Sequence, residues 1–106
     1  MSQLYIGEGN SVSWRELRDL DTGAPINNAD ILGQVLDAET EAIVGLPFIL
    51  FREEGSDGDY KGVITDETTD LLTEGKVYHL ELVATVEGYE KAKRRIPYTA
   101  MYHRNV

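Results

Sequence analysis

Leu71-Leu72-Thr73-Glu74-Gly75-Lys76-Val77-Tyr78-His79-Leu80-Glu81-Leu82-Val83-Ala84 is the stretch that decides how this chain folds. A leucine pair leads into a turn at Gly75, and an alternating run follows from Tyr78. Tyr78, Leu80, Leu82, Ala84 and Val86 share one face of an extended segment, while His79, Glu81, Val83 and Thr85 share the other. Period two over about ten residues is the pattern of a strand with one buried face. A tyrosine just after such a turn can bond through its hydroxyl to backbone a few residues upstream, which fixes a crossover between two packed sheets. Gly75 and Tyr78 are therefore the expected structural corner.

Outward from the corner, the chain reads as strands and turns. Downstream, Gly88-Tyr89 turns into a last strand over roughly 91–103, with Arg94, Ile96, Tyr98, Ala100 and Tyr102 in one register. Upstream, Thr65 to Asp70 is polar, with room for one helical turn over 66–72. Tyr60, Gly62 and Ile64 alternate after a hairpin connection over Glu53–Gly58, where Asp57-Gly58 favours a turn with positive φ. Ile43 to Phe51 is nearly continuous apolar sequence, and Pro47 inside it marks an edge or a kink. Phe48 and Leu50 are expected to face one way, Ile49 and Phe51 the other. Residues 29–37 surround Gly33, a bulge or a point of close approach. Asp21 to Pro25 is a turn, Val12, Trp14 and Leu17 are extended, and Leu4 and Ile6 form a first strand broken at Gly7–Asn10. No internal repeat is evident. The expectation is one all-β domain over 1–106: a two-sheet antiparallel sandwich of seven to eight strands, immunoglobulin-like or fibronectin III-like, with a tyrosine corner.

Composition bounds the chemistry. The chain has 106 residues and no cysteine, which excludes disulfides, thiolate zinc sites and cysteine nucleophiles. No apolar run approaches the ~20 residues of a membrane helix. The opening MSQLYIGEGNSVSW has neither basic head nor apolar run, so no export signal is expected. Charge is uneven. Residues 1–90 carry 19 acidic and 5 basic side chains, and residues 91–106 carry 5 basic and none acidic, giving −14 and +5 within a net −9. An acidic body disfavours nucleic acid, whose binding depends on neutralising phosphates. Lys91, Lys93, Arg94 and Arg95 have two readings: a solvated edge strand guarded by charge, or a surface that docks an acidic partner, including another copy of the protein.

No catalytic constellation emerges. His79 and His103 have no serine or acid in a recognisable triad pattern, and two histidines without cysteine are too few for a zinc site. Carboxylates cluster at Glu53, Glu54, Asp57 and Asp59 and again at Asp66, Glu67 and Asp70, without the spacing of a calcium loop. The expectation is a non-enzymatic protein with no cofactor and no metal. Six of the nine aromatic residues are tyrosines, which suit interfaces because they combine contact area with a polar tip. Trp14, Phe48 and Tyr78 are expected in the core, Tyr60 and Tyr98 half-buried, and Tyr89 and Tyr102 exposed. The candidate interface is thus Lys91, Lys93, Arg94, Arg95, Tyr89 and Tyr102.

The N-terminal half carries a resemblance. Gly7-Glu8-Gly9-Asn10-Ser11-Val12-Ser13-Trp14, followed by Asp21-Thr22-Gly23-Ala24-Pro25-Ile26-Asn27-Asn28-Ala29-Asp30-Ile31, resembles the opening of small immunoglobulin-like domains in bacteriophage and prophage virion proteins. Asp57-Gly58-Asp59-Tyr60-Lys61-Gly62 and the Leu72-to-Tyr78 corner follow in the same order, so the resemblance spans about residues 5–86. It implies a structural protein of the particle, in head decoration, neck, tail or baseplate, assembled in the host cytoplasm. Its partners would be other virion proteins or copies of itself, oligomeric in assembly, with no nucleic acid and no membrane. The alternative is a β-sandwich module that binds carbohydrate or a host surface through loop tyrosines. The resemblance carries over no catalytic residues.

Overall fold

The run that begins at Tyr78 lies inside the sheet, hydrogen-bonded on both sides. The computed structural model describes residues 2–103. Its elements are β1 (Ser2–Tyr5), β2 (Asn10–Trp14), β3 (Asp30–Asp37), β4 (Ile43–Arg52), β5 (Tyr60–Ile64), the single helical turn α1 (Asp66–Thr69), β6 (Val77–Val86) and β7 (Tyr89–Met101). The protein is all-β, with seven strands in one hydrogen-bonded order, β1-β7-β6-β3-β4-β5-β2. Neighbours are antiparallel except β1 and β7, which run parallel with Ser2 beside Tyr98. A wholly antiparallel arrangement was the expectation. The exception pairs the two ends of the chain, which no hairpin joins.

Strand β4 joins two wings. It pairs with β3 from Ile43 to Leu50 and with β5 only at Phe51 and Arg52. The sheet curls until it is nearly barrel-shaped. Its inner face packs one core that includes Leu4, Val12, Trp14, Ile31, Val35, Leu50, Tyr60, Ile64, Leu80, Leu82 and Ala100. Phe48 and Leu50 point inward while Ile49 and Phe51 point out, as the alternation in β4 requires. Each large apolar side chain taken fully from water contributes about 1.5–3 kcal/mol, and this inward set is what curls the sheet. The register of β3 on β4 shifts between Gly33 and Val35. The ring of Phe48 lies on Gly33, where any Cβ would sit 2.3 Å from it.

Polar groups hold the turns. Tyr78 is buried, and its hydroxyl accepts the Thr73 N–H at 2.9 Å. Gly75, with φ of +83°, donates its N–H to the Ala100 carbonyl at 2.8 Å, so this turn is tied to β7. Tyr60 was expected to be half-buried and is instead only 1% exposed. Its hydroxyl donates to the Ile26 carbonyl at 2.8 Å and accepts the Ala29 N–H at 3.1 Å, pinning the long β2–β3 connection. Asn10 was expected only to break the first strand. Its buried amide accepts the Tyr5 N–H and donates to the Tyr5 and Glu8 carbonyls, all within 2.9–3.0 Å. A side chain thus supplies the partners that strand pairing between β1 and β2 would otherwise give.

One turn scheme occurs twice. Asp19-Leu20-Asp21-Thr22-Gly23-Ala24 and Asp37-Ala38-Glu39-Thr40-Glu41-Ala42 share one hydrogen-bond scheme. In each, the aspartate Oδ1 accepts the N–H groups two and three residues on, at 2.8 and 3.3 Å. The threonine hydroxyl accepts the alanine N–H at 3.3 Å. The fifth residue has positive φ in both, +72° at Gly23 and +62° at Glu41. The repeat is hidden in sequence because only the aspartate, threonine and alanine recur.

Candidate interaction surface

Most of the outer face of β3, β4 and β5 is apolar. Leu32 lies between Val83 of β6 and Ile49 of β4 by register, and Ile43 lies opposite Leu36. Phe51 pairs with Lys61, and Val63 follows on the same face of β5. Leu32, Ile43, Ile49, Val63 and Phe51 are 45–70% exposed. Strand alternation puts them there: each sits one residue from an inward side chain, at a position where a solvated strand carries a polar residue. A contiguous exposed apolar face rimmed by polar groups marks a contact site on a soluble protein. In front of Leu32 and Val83 the surface dips into a hollow of about 270 Å³, edged by Asp30, Gln34, Glu81 and Thr85.

The basic residues flank this face on β7. Lys93 lies across from Val83, and Arg95 across from Glu81. Arg95 donates to Glu81 at 2.7 Å and to Glu41 at 2.8 Å, and these two carboxylates raise its pKa. It therefore ties the 37–42 loop to the sheet. Arg94 is on the inward register, opposite Leu82, and its guanidinium covers the Trp14 ring at 5.3 Å. Lys91 is the extra residue of a bulge, since Ala84 pairs with Ala92 and Thr85 with Glu90. The four basic residues thus do different jobs, and among the described residues Lys91 and Lys93 form no salt bridge.

Tyr89 and Tyr102 are both exposed, but they are not neighbours. Tyr89 follows the two-residue turn at Glu87-Gly88, where both residues have positive φ. Tyr102 lies just past the other end of β7. Beside it, His103 approaches the Tyr5 ring at 4.8 Å and Glu8 at 3.5 Å. His79 lies on the outer face between Leu36 and Pro97, half-buried, and its Nδ1 has no hydrogen-bond partner.

Three carboxylates, Asp19, Asp37 and Asp59, accept backbone N–H groups. Asp59 accepts the Glu16 N–H at 2.9 Å and lies 3.7 Å from Arg15. Asp37 bonds the Lys76 ammonium and the Glu39 N–H, which together hold its pKa below the usual carboxylate range, and the same pairing raises that of Lys76. The Asp21 and Thr22 N–H groups lower the pKa of Asp19 in the same way. Tyr98 shifts upward through burial. Among the described residues, no three His, Cys, Asp or Glu side chains gather as a metal site. No helix is long and apolar enough to cross a membrane.

The outer apolar patch is not legible in the sequence, which separates Ile49 and Phe51 from Phe48 and Leu50 without saying which pair faces out. The missing signal was cross-strand register, which brings Leu32 and Val83 beside Ile49 and Phe51. Comparison with family models, curated proteins and solved structures finds no match to this chain.

Proposed function

We propose that this protein is a structural component that works by protein–protein contact through the outer face of β3, β4 and β5. The observation that carries the reading is the run of exposed Leu32, Ile49, Phe51 and Val63 across three adjacent strands. Covering such side chains releases about 25 cal/mol per Å² of apolar area, which favours association once the patch is contiguous. The likeness of the N-terminal half to virion domains makes a phage or prophage particle the setting, with copies of the protein as the first partner to test.

The finer fold reading belongs to the same proposal. The parallel β1–β7 pair and the handover along β4 support a two-layer, immunoglobulin-like arrangement with β1-β7-β6-β3 and β5-β2 as its layers. The bond from Thr73 to the Tyr78 hydroxyl supports a tyrosine corner. A second reading, a carbohydrate-binding module, draws on Tyr89, which is 75% exposed at a hairpin tip.

Sedimentation velocity over a concentration series tests assembly. Wild-type protein is expected to form larger species as concentration rises, and Ile49→Ser with Phe51→Ser to remain monomeric. Identical monomeric behaviour in both would refute self-assembly through this face. A glycan array that lights up with wild type and goes dark with Tyr89→Ala would favour the second reading.

A further inference from the structure

We propose that the free edge of β7 from Ala92 to Ile96 receives an extended acidic segment of a partner protein as an added strand. The edge is half-occupied already. β1 pairs with β7 only from Tyr98 to Met101. Among the described residues, Ala92 to Ile96 pair with β6 alone. Antiparallel pairing on one side leaves alternate N–H and C=O groups pointing to the other side, which is a ready template for another strand. The bulge at Lys91 bounds this template at one end, and Pro97, which has no N–H, bounds it at the other, where β1 begins.

Charge specifies the occupant. Lys93 projects beside the edge without a salt bridge, Lys91 at its start feels only the nearby Asp19 carboxylate without bridging to it, and Arg94 covers Trp14 without a carboxylate. A second copy of the same edge would set these cations against their own kind, and like charges directly opposite repel. An acidic strand would meet Lys93 on the outer side. On the inner side it would lie against half-buried Ala92 and Ile96, where it needs an apolar residue. The favoured segment therefore alternates acidic and apolar positions, and backbone pairing supplies its affinity.

Fluorescence anisotropy on the full chain tests this with labelled peptides of about eight residues, an ordinary strand length. An alternating Glu-Val peptide is expected to bind. An alternating Lys-Val peptide, and a Glu-Val peptide N-methylated at every second residue, are expected to bind at least about tenfold more weakly. Lys91→Glu with Lys93→Glu, exposed positions whose change leaves the core intact, should weaken the Glu-Val peptide by a similar factor and spare the outer-face assembly. Equal binding of both charge types would overturn the proposal. So would equal binding of the methylated peptide, which means attraction without strand pairing. Dissociation of the protein's larger species by excess Glu-Val peptide in sedimentation velocity would identify a second copy as the occupant of this edge and would also overturn it.

Discussion

Removing one oxygen atom, in Tyr60→Phe, should destabilise the protein more than its position in a short strand suggests. The ring is enclosed, at 1% exposure, so phenylalanine keeps the packing and loses only the hydroxyl. That hydroxyl makes two bonds to the β2–β3 connection, one donated to Ile26 and one accepted from Ala29. Each intramolecular hydrogen bond contributes about 0.5–1.5 kcal/mol net, so the two together are worth about 1–3 kcal/mol. The value falls toward the upper end because the Ile26 carbonyl is buried and water cannot replace the donor. For a domain of this size, 1 kcal/mol moves the melting temperature by roughly 4–8 °C. Urea unfolding followed by tryptophan fluorescence is the assay, because Trp14 pairs with Tyr60 in the β2–β5 ladder. The midpoint should fall at an unchanged slope. A difference below about 0.3 kcal/mol would refute the claim that this hydroxyl pins the long connection.

Other perturbations separate the remaining pins. Tyr78→Phe removes a single accepted bond from Thr73 and should cost about 0.5–1.5 kcal/mol, less than Tyr60→Phe, in the same urea assay. Asn10→Ala orphans the Tyr5 amide and carbonyl and should cost about 1–3 kcal/mol; Asn10→Asp, which keeps an acceptor for the Tyr5 N–H, should fall between it and wild type by thermal melting. Gly33→Ala drives a methyl into the Phe48 ring and should cost about 1–3 kcal/mol, recovered in part by Phe48→Leu. Asp37 titrates below its ordinary value because Lys76 and the Glu39 amide favour the carboxylate. A depressed folded-state pKa gives stability that is present above the unfolded pKa and lost as pH falls through the folded one. Asp37→Asn should therefore lie below wild type near neutrality and converge with it below about pH 4, in melting temperatures measured across pH.

Local periodicity carried much of the fold. The run after Gly75 placed Tyr78, Leu80, Leu82 and Ala84 inward because alternation over so many residues has only one burial solution. The alternation of Phe48, Ile49, Leu50 and Phe51 was equally legible, since neighbours on a strand cannot face the same way. What escaped was non-local. Tyr60 finds its hydrogen-bond partners 31 and 34 residues away, so no local pattern reveals that it is buried and bonded at its tip. Asn10 looked like a turn residue because its role depends on β1 lying alongside. The parallel pairing of β1 with β7 joins the two ends of the described chain, where sequence spacing is silent. At the candidate site, the basic run was visible as a charge cluster, but its division of labour was not. Register and contacts across the fold assign Arg95 to two carboxylates, Arg94 to Trp14 and Lys93 to the exposed outer side.

Hydroxyl-radical footprinting of the dilute and the concentrated protein addresses the outer face directly, because it reports side-chain exposure residue by residue. Leu32, Ile49, Phe51 and Val63 should lose reactivity together on concentration, while Leu20, exposed in the β2–β3 connection, stays unchanged. Undiminished reactivity of those four side chains in the concentrated protein would contradict a docking role for the outer face of β3, β4 and β5.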